Sequence, residues 1–307
     1  MSDLRILVVG AGATGGYFGG RLLQAGRDVT FLVRPGRAKL LRERGLRIVG
    51  LGEETVLAPP LVETGTLDEP CDLVLLAVKA TGLTPAIDDF AAAVGPGTLV
   101  LPFLNGLAHL DALDARFGRD AVLGGVAKVA TTVDDDGAVR RLAPLQSLVY
   151  GARTDPAPAR LADVGAALAG AGFPAAATGR ITEAMWAKWV FIAAIGAVNS
   201  LMRGTIGDVV AVPGGAEFAE AVVAEAAAVA EAAGYPVPAA DLAATRRTVT
   251  DPATGGSSLY RDLLGGHPVE VEQIFGDLTA RARELGVRVP LLDLVTLQLR
   301  VHQHRIG

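Results

Sequence analysis

The sequence predicts an α/β chain in which an N-terminal Rossmann-type dinucleotide-binding domain is followed by an all-α C-terminal domain. Three observations carry this expectation. A glycine-rich run, GAGATGGYFGG at residues 10–20, stands between an apolar, strand-like run and a helical pattern. Strand-like and helix-like segments then alternate through the first half. From about Ile181 onward the pattern changes to long alanine-rich stretches such as AEFAEAVVAEAAAVAEAAG. The expected domains are residues 1–179, binding a dinucleotide, and residues 180–307, all helical. With 307 residues, half of them hydrophobic, the chain has material for two cores.

The elements follow in order. LRILVV (Leu4 to Val9) is apolar and β-branched and reads as a buried parallel strand. After it Phe18, Leu22, Leu23 and Ala25 recur at helical spacing until Gly26 stops the run. Between strand and helix, Gly10, Gly12 and Gly15 form G-x-G-x-x-G. The first glycine allows a tight turn, the second admits a pyrophosphate to the backbone, and the third lets helix and strand pack closely. Amides at the helix start, around Ala13 and Thr14, face the phosphates with the positive end of the helix dipole. The alternative, a glycine-rich turn without a ligand, is disfavoured by the flanking strand and helix.

DVTFLV (Asp28 to Val33) is the second strand, and the position where an NAD site places an acid holds Arg34. A guanidinium pairs with a ribose 2′-phosphate that an acid would repel, so NADP(H) is expected over NAD. Arg37 and Lys39 add positive charge nearby, although each reads first as a solvated face of the next helix. DLVLLAV (Asp72 to Val78), TGLTPAIDDFAAAV and TLVLPF (Thr98 to Phe103) continue as strand, helix and strand. Short alternating runs between Gly45 and Val62 predict a hairpin. Residues 121–150 predict strands either side of the turn at Asp134 to Gly137, and both are expected to extend the sheet.

Composition narrows the function classes. A net charge of −5 gives no electrostatic case for nucleic acid. One cysteine, Cys71, excludes an internal disulfide. Four scattered histidines show no metal spacing, His302 and His304 reading as an exposed tail. No basic region followed by an apolar signal core opens the sequence, so a cytoplasmic location is expected. WVFIAAIGAVNSLM (Trp189 to Met202) is too short for a membrane span and is interrupted by Asn199, so it reads as a buried helix.

Ligands of doubly wound sheets bind beyond the carboxyl ends of strands, which singles out Lys79 in AVKATG and Asn105 in FLNGLA. The plain readings are a surface lysine and a turn former. In the helical half, MWAKWVF places Lys188 between two tryptophans, where an ammonium must be paired, lowered in pKa or snorkelled to the surface. Further on stand Ser257, Ser258, Asp262 and Glu270, with N-capping the plain reading of the serines.

GAGATG, Arg34, VKA at Lys79, NG at Asn105, W-x-K at Lys188, SS-x-x-x-D and the later VE at Glu270 together resemble the ketopantoate reductase (2-dehydropantoate 2-reductase) family. The resemblance runs from Leu4 to about Glu284. It implies NADPH-dependent reduction of the 2-oxo group of ketopantoate to pantoate, toward pantothenate and coenzyme A. It also implies a small-molecule 2-oxo acid as partner, no nucleic acid or membrane, and admits a homodimer. The family's catalytic lysine falls on Lys188, its carboxylate-binding serine on Ser258 and its active-site glutamate on Glu270. Asn105 is implied to touch substrate and cofactor, and Lys79 and Glu270 the cofactor. Chemically, Lys188 can stabilise and protonate the oxygen that gains charge when hydride arrives. Burial between rings would lower its pKa toward neutrality, and Glu270 would oppose this. The sequence departs from the family where asparagines stand four and eight residues after the lysine: here are Ile192 and Gly196, with Asn199 a partial replacement. The alternatives are a reductase of another 2-oxo acid, a different NADP-dependent two-domain dehydrogenase, or a non-catalytic NADPH sensor.

Overall fold

The apolar run after Leu4 becomes β1 (Ile6–Val9), buried at every residue. The glycine-rich run turns into α1 (Ala13–Gln24), followed by β2 (Val29–Val33), α2 (Pro35–Arg44), β3 (Leu46–Gly50), β4 (Glu53–Leu57) and β5 (Leu61–Glu63). Next come β6 (Leu73–Leu76), α3 (Leu83–Phe90), β7 (Leu99–Pro102), α4 (Ala108–Phe117), β8 (Gly124–Val133), β9 (Val139–Gly151), α5 (Leu161–Leu168) and β10 (Ala175–Ala177). This computed structural model describes residues 4–67 and 69–307. The chain divides into one unit of Met1–Leu104 and His109–Ile181, and a second of Asn105–Ala108 and Thr182–Gly307.

In the first unit a parallel sheet runs in the order β5-β2-β1-β6-β7. The chain moves outward from β1 to β2 and β5, then returns to the other side of β1 for β6. The switch point therefore lies beside the carboxyl end of β1, where the glycine loop begins. β1, β6 and β7 are buried throughout, which explains why they read as continuous apolar runs rather than as alternating ones.

The hairpin does not extend this sheet. Of residues 121–150 only a parallel bridge at Val122 does, with Val100 N of β7 donating to the Ala121 carbonyl at 2.8 Å and Leu123 N to the Val100 carbonyl at 2.9 Å. The hairpin and the longer strands lie elsewhere. They build a second one, ordered β10-β9-β3-β4 with β8 paired to β9. The reason lies in α1, which needs cover on the side that β1 and β2 leave open. A Cβ at Gly19 would stand 2.6 Å from the Phe31 ring in the parallel sheet, whereas one at Gly16 would meet Val139 at 2.9 Å and one at Gly20 would meet Ile48 at 2.8 Å. Glycine costs a helix interior about 1 kcal/mol per residue relative to alanine. Close approach of both sheets to α1, with Tyr17, Phe18 and Leu22 fully buried, offsets that cost. Tyr17 Oη donates to Gln146 Oε1, and Glu53 of β4 pairs with Arg21 of α1 and, at 3.1 Å, with Arg141 of β9.

The second unit is helical: α6 (Ile181–Met202), α7 (Ile206–Val210), α8 (Gly215–Ala232), α9 (Ala239–Thr250), α10 (Ser258–Leu264), α11 (Asp277–Glu284) and α12 (Pro290–Ile306). A π-helical turn, Glu272–Gly276, leads into α11. α6 has 22 residues, longer than its apolar run, and is long and apolar enough to cross a membrane. However, 56% of its most apolar window is buried inside the protein, with Val190, Ala193, Ala194, Ala197 and Val198 fully enclosed. The Glu225 carboxylate of α8 accepts from the Leu291 and Leu292 amides at 3.0 Å, capping the positive end of α12.

Candidate active site

The glycines of the first loop have separate duties. Gly10 sits at φ +95, a left-handed conformation that side chains resist, with the Ala77 carbonyl 3.1 Å from where a Cβ would be. A Cβ at Gly15 would come 2.1 Å from the Gly10 oxygen and 2.8 Å from Ala77 Cβ, so close packing excludes it. Gly12 differs: among the described residues nothing lies within 4 Å of its Cβ position, and its backbone is extended at φ −80. No protein contact requires that residue to lack a side chain, whereas a pyrophosphate approaching the backbone does. The first intrahelical bond runs from Gly16 N to Gly12 O at 2.8 Å. The amides of Ala13, Thr14 and Gly15 therefore have no helical carbonyl to bond. Thr131 Oγ1 of β8 donates to the Ala13 carbonyl at 3.1 Å and fixes the helix start from the second sheet. The cradle fits a dinucleotide phosphate.

Arg34 caps α2 one residue past β2 and is exposed, its Nη2 3.5 Å from the Cβ position of Gly82. Lys79 is also exposed and opens the turn after β6. The parallel order puts both at the same sheet edge as the glycine loop, on either side of it. Lys39 lies on a solvated face, 3.9 Å from Glu43. Arg37 does not: it is half-buried and bonded to the Ala11 and Gly137 carbonyls, and burial pushes its guanidinium pKa down. The R-x-x-R spacing was visible in sequence, but its partner Gly137 lies 100 residues away.

In the second unit, the structure brings Asn105 and Glu270 together. Asn105 Nδ2 donates to Glu270 Oε2 at 3.1 Å, and Gln273 Nε2 donates to the Asn105 carbonyl at 2.6 Å. Gly106, at φ +70, passes so close to the π turn that a Cβ would meet the Gln273 oxygen at 2.3 Å. Asn105 is thus more than a turn former. Gln273, three residues after Glu270, was missed in sequence, because a π turn alters which side chains share a face.

Lys188 lies on α6 between two tryptophans in sequence. Trp186 and Trp189 stand three residues apart, share a helix face and approach each other at 5.0 Å between centroids. Trp189 Nε1 donates to the Ile274 carbonyl at 2.8 Å. Lys188 is partly buried rather than fully enclosed. Ser257 is the N-cap of α10, accepting from the Tyr260 amide, while Ser258 is exposed at the first helical position. Asn199 cannot replace the missing amides. It is fully buried, with Nδ2 donating to the Gly204 carbonyl at 2.9 Å and Oδ1 accepting from the Ser257 amide at 2.9 Å. Lys188, Ile192 and Gly196 follow one another at four-residue spacing along α6, and a Cβ at Gly196 would stand 3.3 Å from Phe275 Cζ of the π turn.

Burial pushes the Cys71 thiol up to about 11, which leaves it protonated and unreactive at neutral pH. His302 and His304 belong to α12 rather than to a tail. Among the described residues no group of three or more His, Cys, Asp or Glu is placed to hold a metal.

Comparison with known proteins bears on the family and the fold. Residues 6–155 match the family model for ketopantoate reductase PanE/ApbA, and residues 180–303 match that for its C-terminal domain. An uncharacterized oxidoreductase of Bacillus subtilis, YkpB, is 31% identical over 98% of this chain and 99% of its own. A 2-dehydropantoate 2-reductase of Halobacterium salinarum is 31% identical over 97% of this chain and 99% of its own. A ternary structure of D-mandelate dehydrogenase with NADH and anilino(oxo)acetate superposes with a TM-score of 0.89 over 98% of this chain and 99% of that one, at 21% identity, a likeness of fold. The glycine cradle, the helical second unit and these matches make the chain a member of the ketopantoate reductase family of oxidoreductases acting on CH-OH groups.

Proposed function

We propose that the protein is an NADPH-dependent 2-oxo acid reductase whose substrate is 2-dehydropantoate, reduced to pantoate in the cytoplasm for pantothenate and coenzyme A synthesis. The observation that carries the cofactor part is the open space at Gly12, together with an exposed Arg34 at the end of β2. Gly10, Gly12 and Gly15 with the Ala13 and Thr14 amides would hold the pyrophosphate, and Arg34 and Lys79 the 2′-phosphate. When bound, the reduced nicotinamide supplies a hydride to the 2-oxo carbon.

The chain's own groups supply the rest. The Lys188 ammonium donates a proton to the carbonyl oxygen as negative charge develops there. The Ser258 hydroxyl donates to the substrate carboxylate. Glu270, held by Asn105, orients the lysine and the ribose or substrate hydroxyls, and the Asn105 amide is in turn fixed by Gln273. The second unit also provides the surface through which two copies would associate. A panel of 2-oxo acids, with NADPH consumption followed by absorbance, tests the reading: 2-dehydropantoate is expected to give the highest kcat/KM. Absence of turnover with every oxo acid, alongside NADPH binding, would favour a cofactor sensor.

A second reading rests on one specific observation. Ile192 and Gly196, the latter covered by Phe275, offer no amide to a substrate hydroxyl. A site without such donors pays little to accept an apolar chain and gains nothing from a hydroxyl. A higher kcat/KM for alkyl or aryl 2-oxo acids than for 2-dehydropantoate would select this reading.

A further inference from the structure

Arg37 stands three residues beyond Arg34 but faces different partners. Its Nε donates to the Ala11 carbonyl at 3.0 Å and its Nη1 to the Gly137 carbonyl at 2.9 Å. Its Nη2 is buried and has no hydrogen-bond partner among the described residues. The guanidinium thereby ties the glycine loop to the turn between β8 and β9. That turn is shaped to receive α2. Gly137, at φ +85, a conformation that side chains resist, lies against α2: a Cβ would lie 2.1 Å from Leu40 Cδ2 and 2.9 Å from Arg37 Nη1. Asp136 in the same turn pairs with Arg47 at 2.5 Å, and its carbonyl accepts from Arg44 at 3.2 Å.

We propose that Arg37 is a positioning residue for the cofactor pyrophosphate: by holding the Ala11 carbonyl, it sets the direction of the Gly12 amide. The inference rests on the dinucleotide reading of the site. A trans peptide is planar, and its C=O and N–H point in opposite directions. With the Ala11 oxygen fixed toward Arg37, the Gly12 N–H is sent to the opposite side of the same peptide, and Gly12 itself is where a Cβ would meet none of the described residues. An amide already aimed does not have to be ordered when the ligand arrives. The positive charge beside the loop also reinforces the helix dipole of α1 toward an anion. Arg37 is poorly suited to read the 2′-phosphate, because two of its nitrogens are committed to carbonyls and the third is enclosed.

The test measures affinities of the full-length protein for NADPH, NADH, ADP and 2′-AMP by calorimetry, together with thermal melting. Arg37→Met is expected to weaken NADPH, NADH and ADP by one common factor, on the order of ten-fold, as loss of a charge-assisted constraint gives. Binding of 2′-AMP, which lacks the pyrophosphate, is expected to be unchanged. Arg37→Gln keeps one donor and carries the same comparison should Arg37→Met not fold. Three outcomes overturn the proposal. A lowered melting temperature with unchanged ADP affinity in the folded protein makes Arg37 merely structural. A larger loss for NADPH than for NADH makes it a 2′-phosphate reader. Wild-type protein that binds neither NADPH nor ADP removes the dinucleotide reading itself, a result distinct from the other two.

Discussion

Gly12→Ala separates what the glycine loop does for the ligand from what it does for the fold. Its φ of −80 and ψ of −160 suit any residue, and among the described residues nothing lies within 4 Å of the new methyl. The substitution gives up a modest capping preference, about 0.5–1 kcal/mol. It recovers about 0.4–1 kcal/mol by restricting the unfolded chain. The two nearly cancel, so the melting temperature should move by no more than about 2 °C. Gly15→Ala is the control. Its methyl would meet the Gly10 oxygen at 2.1 Å and Ala77 Cβ at 2.8 Å, and neither is the end of a flexible side chain. Overpacking of this kind costs about 1–3 kcal/mol, enough to lower the melting temperature by roughly 3–10 °C. NADPH affinity, read by fluorescence titration, should fall on the order of 10- to 100-fold in Gly12→Ala. The methyl occupies the approach of the phosphate and costs one or two charge-assisted bonds. A folded Gly12→Ala protein that bound NADPH within about two-fold of wild type would refute the assignment of that open space to the cofactor.

Other expectations follow from the same geometry. Exposed Arg34 should favour NADPH over NADH by about 1.5–3 kcal/mol; Arg34→Asp should bring the two affinities together in parallel titrations. Lys188→Ala should lower kcat by about 10²- to 10⁴-fold while NADPH affinity stays at the wild-type value; near-normal turnover in folded protein would remove the lysine from the chemistry. The Arg21 hydrogen bond holds the Glu53 carboxyl below its ordinary 4.5, so its stabilisation is complete above about pH 4.5 and is lost as pH falls through the lowered folded value. Thermal melts of Glu53→Gln should accordingly show a shallower acid limb than wild type.

Much of the first unit was legible because its signals are local. A strand of four buried residues, a glycine loop and a helix start occupy one short stretch, and each glycine is constrained by neighbours close in sequence or by the next parallel strand. The hairpin of β3 and β4 was legible as a hairpin but not as part of a second sheet. That assignment depends on Leu46 and Ile48 covering Gly16 and Gly20 of α1, a contact that periodicity in either segment does not encode. Arg37 read as a surface residue for a similar reason, since its environment comes from Gly137. In the second unit, the position of Lys188 between tryptophans suggested burial, and the lysine is partly buried; that the two indoles pack on each other follows from their three-residue spacing on one helix. The clamp on Asn199 required knowledge of where Ser257 lies.

The position of Phe275 bears on why membership of the family leaves the oxo acid undecided. On α6, Gly196 is one turn beyond Ile192 and two beyond Lys188, and the ring of Phe275 already stands 3.3 Å from the place of its absent Cβ. The Cβ of an asparagine there would press on that ring, a fully buried side chain of the π turn. The same turn carries Ile274, whose carbonyl accepts from Trp189, and Gln273, which fixes Asn105. Phe275 thus sits in the turn that also anchors Trp189 and Asn105. Glycine at 196 and phenylalanine at 275 are coupled choices. A side chain at 196 asks the Phe275 ring to give by a few tenths of an ångström, so the apolar character of this wall is a property of the packed pair as well as of the residue at 196.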